Sequence, residues 1–155
     1  MSFRIRGLDP APFLPLLSLS PEELTRYAAI RYTVEERHSA PDRIELRDAE
    51  PGETVLLINH EYLGGNTPYR GRHAIYVREG AKHAYDAVDD VPDAIRCRLI
   101  SLRAFDVNGM MVDADVVEGA ELEPLIERLF SEPHVAFLNA HHARRGCYAA
   151  RIERA

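Results

Sequence analysis

The side chains best suited to chemistry are a cysteine, a histidine and an amide near the C-terminus. Two alternating segments flank a tight turn at Arg144-Arg145-Gly146. A three-residue loop there predicts that His141 lies diagonal to Cys147 on one face of the hairpin, with Asn139 beside His141. A thiolate, a base and a group that orients the base are the parts of a thiol nucleophile. The spacing therefore indicates a candidate catalytic trio of His141, Cys147 and Asn139.

The same hairpin face allows two other interpretations. Arg151 falls opposite Asn139, so the face could bind an anionic ligand. A polar sheet face that includes a small buried cysteine would explain the pattern without any chemistry. A metal site would use His141 and Cys147 with Asp113 or His60 as ligands. No Cys-x-x-Cys or His-x-x-x-His spacing supports a metal, so we expect none.

A second hairpin is centred on Asp106-Val107-Asn108-Gly109. Asp at the first position and Gly at the fourth favour a type I turn with a left-handed glycine, which makes a three-residue loop. That register predicts Arg103 opposite Asp113. Asp113 and Asp115 could together bind a divalent cation, but a cross-strand ion pair with Arg103 is the stronger interpretation.

Basic residues are dense at only two places, Arg70-Gly71-Arg72 and Arg144-Arg145. Near Thr67 and Tyr69 they could form a local pocket for a phosphate or carboxylate, although solvated loop charges explain them as well. The chain has no glycine-rich phosphate loop and no dinucleotide fingerprint, so no cofactor is expected. The candidate ligand-binding residues are Arg151, Arg103, Asp113, Tyr69 and Arg70.

Strands outnumber helices in the sequence pattern, and they do not alternate with helices as βαβ units do. Strands are predicted over 3–8, 30–36, 43–46, 54–62 and 72–79, and in the two hairpins. A capping box at Ser20 starts a short helix, and a helical turn is predicted from Pro92 to near Cys97. An apolar stripe predicts an amphipathic helix over about 120–130; its residues are Leu122, Leu125, Ile126, Leu129 and Phe130. The predicted fold is α+β, a mostly antiparallel sheet with two or three short helices packed on it.

The chain has 155 residues, which is the usual size of one domain, here residues 1–155. A net charge of −6 disfavours nucleic acid and anionic membranes as partners. We find no signal-peptide pattern and no apolar run long enough to span a bilayer. Two cysteines fifty positions apart are not a disulfide framework. The cytoplasm is therefore the expected compartment.

Six segments of the chain have a familiar pattern: Phe3-Arg-Ile-Arg-Gly-Leu, Asp48-Ala-Glu-Pro-Gly-Glu, Thr67-Pro-Tyr-Arg, Ser101-Leu-Arg-Ala-Phe-Asp, Gly109-Met-Met-Val-Asp-Ala-Asp-Val-Val and Gly146-Cys-Tyr-Ala-Ala-Arg. Together they resemble a bacterial family, the domain-of-unknown-function 1203 family. The resemblance covers the whole chain and implies a one-domain, cytoplasmic bacterial protein, without implying an activity. The family pattern Ala-His-Asn-Ala is matched here by Ala140-His141-His142-Ala143, so that His141 fits the pattern and His142 departs from it.

From these patterns we expect an uncharacterised small cytoplasmic bacterial domain that acts as a non-catalytic ligand-binding or assembly module. Its partner would be a small molecule or a second copy of the chain. The alternative is a small enzyme that uses a Cys-His pair, His141 and Cys147, on the C-terminal hairpin. A pocket that converges on these residues would favour the enzyme.

Overall fold

A computed structural model describes all 155 residues as two antiparallel sheets with short helices, an α+β fold. The strands are β1 (Phe3–Arg6), β2 (Ala29–Thr33), β3 (Thr54–Leu63), β4 (Gly71–Arg78), β5 (Asp86–Val88), β6 (Leu99–Phe105), β7 (Met111–Glu118), β8 (Phe137–His142) and β9 (Tyr148–Arg154). The helices are α1 (Pro21–Thr25), α2 (Asp93–Arg96) and α3 (Leu122–Phe130). The larger sheet has the strand order β5-β1-β9-β8-β6-β7, and the smaller one is β2-β3-β4.

Helix α3 covers one face of the larger sheet, as the apolar stripe predicts. The five stripe residues are all buried, and they pack in one cluster with the inward side chains of β1, β6, β8 and β9. A 3₁₀ turn over Gly119–Glu121 leads into the helix, which therefore begins at Leu122. Pro124 is accommodated because the first turn of a helix has no internal acceptors for its N–H groups.

The other two helices are shorter. At α1 the capping box forms as predicted: the Glu23 N–H donates to Ser20 Oγ at 3.2 Å, and the Ser20 N–H donates to the Glu23 carboxylate at 2.7 Å. Helix α2 has four residues, and Cys97 is its C-cap. None of the helices is both long enough and apolar enough to cross a membrane.

The opposite face of the larger sheet meets the smaller sheet, and we call this the inter-sheet face. Successive residues of a strand point to opposite faces. Leu138 and Ala140 of β8 point into the core under α3, so Asn139 and His141 point to the inter-sheet face. There the Tyr62 ring of β3 lies edge-on to the His141 ring, with centroids 5.0 Å apart.

Residues 43–46 do not form the predicted strand. They lie in a turn in which Leu46 has a φ of +53°. The buried Asp42 carboxylate holds this turn, since it accepts the Glu45 N–H at 2.7 Å and the Arg78 N–H at 2.8 Å. The short strand β5, which pairs with β1, was not expected from the sequence either.

The β6–β7 hairpin has the predicted loop but a different register. Gly109 has a φ of +75°, and its N–H donates to the Asp106 carbonyl at 3.1 Å. Val112 is then an extra residue in the edge strand, a bulge that shifts every later pair by one position. Arg103 consequently lies opposite Ala114, and the predicted pairing of Arg103 with Asp113 is wrong.

The shifted register moves the two aspartates to the α3 side of the sheet. Asp113 lies opposite Ala104 and Asp115 opposite Leu102, both core positions. Their carboxylates bind the Arg128 guanidinium of α3 at 3.1 and 2.8 Å. The ion pair expected for Asp113 therefore forms with a helix residue, which sequence spacing does not reveal.

Replacing Gly109 by alanine is expected to destabilise the fold by about 1 kcal/mol, the scale of a non-glycine residue held in the left-handed region. An added Cβ would also lie 3.2 Å from Thr67 Cγ2. The measurement is the urea midpoint of Gly109→Ala. Gly64→Ala is the matched control, because Gly64 is not left-handed and its new Cβ meets only the flexible Glu61 side chain. Equal urea midpoints for the two variants would contradict the conclusion that position 109 requires a left-handed residue.

Candidate functional site

Polar and aromatic side chains from both sheets meet on the inter-sheet face, at the end of the β8–β9 hairpin. We call this set the inter-sheet cluster; its members are Tyr62, His73, Arg103, Asn139, His141 and Tyr148. The His141 ring lies edge-on to the His73 ring, with centroids 5.4 Å apart. The Tyr62 ring stacks on the His73 ring, with centroids 4.5 Å apart. Tyr62, His73 and Arg103 are half-buried. Asn139, His141 and Tyr148 are buried.

His141 is fully buried and has an unpartnered ring nitrogen. Its Nδ1 lies 3.0 Å from the Gly146 carbonyl oxygen. A carbonyl oxygen only accepts, so Nδ1 carries the proton and Nε2 has a free lone pair. Nε2 is buried without a hydrogen-bond partner. A hydrogen bond from Nδ1 to a backbone carbonyl or a carboxylate often fixes the tautomer of histidines that serve as a base or ligand through Nε2.

Asn139 lies in the middle of a row of polar side chains across three strands. Arg103 of β6 is its cross-strand neighbour on one side and Arg151 of β9 on the other, as predicted for Arg151. The Asn139 side chain is 1% exposed, and its amide nitrogen Nδ2 has no hydrogen-bond partner. Buried polar groups are normally paired, so this donor is an exception that requires an explanation.

The two flanking guanidinium groups differ in their contacts. Arg103 donates from Nε to Ser101 Oγ at 3.3 Å and forms no salt bridge. Arg151 lies over the Phe137 ring, 3.8 Å from its centroid, and donates to the Glu153 carboxylate at 2.8 Å. The row therefore has one guanidinium without an anionic partner beside an amide donor without an acceptor.

The electrostatic environment of the cluster is positive. Burial, against the opposing effect of the Gly146 carbonyl and with a smaller contribution from the charges of Arg103 and Arg43, lowers the pKa of His141 to about 3. Burial and the same two arginines also lower the pKa of His73. Burial raises the pKa of Tyr148 to about 12. The histidines are thus neutral near pH 7, and the positive charge comes from the arginines.

The predicted three-residue loop of the β8–β9 hairpin is wrong. The His142 N–H donates to the Cys147 carbonyl at 2.9 Å, so four residues form the loop, and Ala149 is an extra residue in β9. His141 consequently lies opposite Tyr148, whereas Cys147 lies opposite His142. Because successive residues point to opposite faces, the structure separates His141 from Cys147 across the sheet.

The nearest polar partner of Cys147 is Arg43, which sequence analysis did not single out. Arg43 is 1% exposed, and its Nη2 donates to Cys147 Sγ at 3.2 Å. It also donates to two backbone carbonyls, those of Tyr148 at 2.6 Å and of Pro41. Arg43 therefore connects the turn at residues 43–46 to the C-terminal hairpin through hydrogen bonds.

The remaining candidate ligand-binding residues lie away from the cluster. Tyr69 places its ring edge on the Phe105 ring, with centroids 6.3 Å apart. The exposed Arg70 forms no ion pair. Asp113 is on the α3 side of the sheet with Arg128. Of the predicted set, the structure brings together Asn139, His141, Arg103 and Arg151.

One comparison with known proteins gives a match. The family model described as Protein of unknown function (DUF1203) matches residues 39–154. The chain belongs to this family. No curated protein and no solved structure matches the chain.

In this DUF1203 chain, two surface clefts lie near the residues described. One has a volume of about 240 Å³ and is lined by Arg6, Gly7, Leu8, Asp9, Tyr148, Arg151 and Glu153. It thus adjoins the inter-sheet cluster through Tyr148 and the polar row through Arg151. The other has a volume of about 380 Å³ and is lined by His38, Asp48, Asp93, Arg96 and Cys97.

The residues of this DUF1203 chain that could hold a metal lie in the second cleft. One ligand atom each from His38, Asp48 and Cys97 lies within 4.8 Å of the other two. His141 and Cys147, the ligands considered from the sequence, are on opposite faces of the sheet. Sequence spacing does not reveal the first set, because its members come from a loop, a turn and a helix end far apart in the chain.

Proposed function

We propose that this domain is a ligand-binding module that takes a small hydroxylated anion, a phosphate monoester or a hydroxycarboxylate, at the Asn139 row. The observation that carries the proposal is the unpartnered, fully buried Asn139 amide between two arginines on neighbouring strands. Strands in a sheet are about 4.8 Å apart, so Arg103 and Arg151 begin about 10 Å from each other. That spacing suits a single oxyanion above Asn139.

The charges and donors of the row match an oxyanion. Guanidinium groups bind phosphate and carboxylate through paired N–H donors. Arg103 has no carboxylate partner, and the Asn139 amide adds a neutral donor. An oxyanion would therefore give the Asn139 amide an acceptor and Arg103 an anionic partner. A charge-assisted hydrogen bond of this kind contributes about 1.5–3 kcal/mol.

The second polar group of the ligand follows from His141. Its Nε2 is an acceptor, so it suits a hydroxyl rather than another oxyanion. Ser101 lies opposite His141 on β6 and contributes a further hydroxyl. An anionic group at Asn139 and a hydroxyl at His141, two positions along one strand, describe the proposed ligand class.

The cleft beside the row limits the ligand size. Its volume of about 240 Å³ is below the roughly 300–1,000 Å³ of pockets that hold drug-sized molecules. We infer that the ligand enters the row from this cleft, past Arg151 and Tyr148. The two free cysteines suit a reducing compartment, so we place this function in the bacterial cytoplasm.

The test is three separate titrations, with glycerol 3-phosphate, inorganic phosphate and glycerol. Each is monitored through the NMR signals of the Asn139 amide and the His141 ring. We expect saturable shifts with glycerol 3-phosphate, weaker binding of phosphate and none of glycerol. Arg103→Gln should weaken binding about tenfold, the equivalent of one such hydrogen bond. Arg128→Gln is the matched control, because Arg128 pairs with aspartates on the other face of the sheet.

Asn139→Leu separates binding from folding. This change removes a buried donor that has no partner, so the free energy of unfolding should stay the same or rise, whereas binding should be lost. Saturable binding that survives both Asn139→Leu and Arg103→Gln would contradict the proposal. The absence of shifts in the unmodified protein at millimolar glycerol 3-phosphate would contradict it as well.

A further inference from the structure

A surface cleft between the end of α2 and the segment that joins β2 to β3 contains three side chains that could each bind a metal through a different kind of atom. We call His38, Asp48 and Cys97 the surface triad. Asp48 is half-buried, and His38 and Cys97 are exposed to the cleft of about 380 Å³. The surface triad lies apart from the Asn139 row, and it depends on neither the same residues nor the same cleft.

The spacing of the triad is close to that of ligands around one ion. His38 Nδ1 lies 3.0 Å from Asp48 Oδ2, and a ligand atom of Cys97 lies within 4.8 Å of both residues' ligand atoms. In a tetrahedral zinc site, bonds of 2.0–2.3 Å place neighbouring ligand atoms roughly 3.3–3.6 Å apart. His38 and Cys97 are exposed, so their side chains are free to rotate toward that spacing.

Arg98 holds the carboxylate in position. Its two terminal nitrogens donate to Asp48 Oδ1 at 2.6 Å and Oδ2 at 3.1 Å, and one of them also donates to the His38 carbonyl at 2.9 Å. A carboxylate has about four lone-pair positions, so Asp48 can bind an ion while Arg98 remains in place. Carboxylate ligands of metals are commonly oriented by such hydrogen bonds from outside the coordination sphere.

We propose that the surface triad is a zinc site, with the Cys97 thiolate, a His38 ring nitrogen and an Asp48 oxygen as ligands and water in the fourth position. The mixed set of sulfur, nitrogen and oxygen donors suits Zn²⁺, whereas Mg²⁺ and Ca²⁺ prefer oxygen donors alone. The negative charges of the thiolate and the carboxylate offset the two positive charges of the ion, despite the nearby Arg96 and Arg98. Three protein ligands in an open cleft leave one position accessible to solvent.

The test uses Co²⁺ as a spectroscopic substitute for Zn²⁺ in the full-length, reduced protein. We expect one equivalent of Co²⁺ to give a thiolate-to-cobalt charge-transfer band and tetrahedral visible bands, and Zn²⁺ to displace it. Cys97→Ser should abolish the charge-transfer band. Cys147→Ser, which removes the other cysteine, is the matched control and should retain it.

Two further variants check the remaining ligands. His38→Gln and Asp48→Asn should each weaken Zn²⁺ binding by 10-fold or more, measured by competition with a chelating dye. Circular dichroism and the urea midpoint show whether the two variants are folded. A charge-transfer band that is absent from the unmodified protein, or that persists in Cys97→Ser, overturns the zinc site.

Discussion

Lowering the pH from 7 to 4.5 is expected to reduce the free energy of unfolding by roughly 5 kcal/mol. The reason is that the fold keeps two adjacent histidines neutral. Burial lowers the pKa of His141 and of His142 to about 3, from an ordinary value of 6.5. Neighbouring charges reinforce the effect. Arg103, Arg43 and, once it is protonated, His73 act on His141. Arg43 and Arg98 act on His142, partly opposed by the Asp48 carboxylate.

The sign follows from proton uptake in the two states. Below pH 6.5 the unfolded chain protonates both rings, whereas the folded chain does not protonate them until about pH 3. Stability therefore falls as the pH decreases through this window. Two pH units correspond to about 2.7 kcal/mol for each ring. Carboxylates whose pKa the fold lowers, such as Glu53, add to the loss only below about pH 4.5.

The measurement is urea unfolding at a series of pH values between 7 and 4.5. His141→Leu and His142→Leu should each remove a large part of the pH dependence, whatever their effect on stability at pH 7, and the lowered pKa values of His73 and His60 contribute to the remainder. His83→Gln is the matched control, because His83 is exposed in the segment between β4 and β5 and should leave the profile unchanged. A profile that neither leucine variant flattens would show that the two rings are not the source.

The elements that local sequence chemistry specifies completely were predicted best. The capping box at Ser20 and the apolar stripe of α3 depend on residues at most eight positions apart. The loop at Gly109 likewise depends on its own four residues. In each case the pattern determines the local backbone without reference to how the two sheets pack.

Strand register was predicted wrongly beyond the turn of the β6–β7 hairpin and at the turn end of the β8–β9 hairpin, whereas the Leu138–Ala140 pairs of β8 with β9 were predicted correctly. The two errors have one physical reason. A bulge adds a single residue, Val112 in β7 and Ala149 in β9, and exchanges the faces of the residues on one side of it. At Val112 the sequence pattern favoured the regular register, because it sorted apolar side chains onto one face. The structure instead places Asp113 and Asp115 beside Arg128, a contact between a strand and a helix that no pairing rule includes.

The candidate site was predicted in part. The alternation of β8 and β9 correctly places Asn139 between strands and opposite Arg151. The partners of His141 come from the smaller sheet, Tyr62 and His73. How two sheets pack against each other is a tertiary property, and the sequence pattern of one hairpin contains no information about it. The surface triad was missed for the same reason, because its residues come together only through tertiary packing.

Arg43→Ala is expected to destabilise the protein by at least about 3 kcal/mol. Its guanidinium is buried and donates to the carbonyls of Pro41 and Tyr148 and to Cys147 Sγ. Each buried carbonyl that loses its donor costs about 1–3 kcal/mol, and the truncated side chain leaves a cavity as well. The expected loss is thus a large fraction of the stability of a typical domain.

Two replacements of Arg43 distinguish the hydrogen bonds from the volume and the charge. Arg43→Met keeps most of the volume but donates no hydrogen bond, so it should remain strongly destabilised. Arg43→Lys keeps the charge, but one ammonium cannot reproduce the planar arrangement that reaches three acceptors, so it should not restore stability. Arg26→Ala, at an exposed position after α1, should leave the urea midpoint unchanged.

Burial of the Arg43 guanidinium also carries a desolvation cost, which is reflected in its lowered pKa. Replacing a buried charge by an apolar side chain is stabilising in some proteins. A urea midpoint for Arg43→Met at or above that of the unmodified protein would mean that this cost outweighs the three hydrogen bonds.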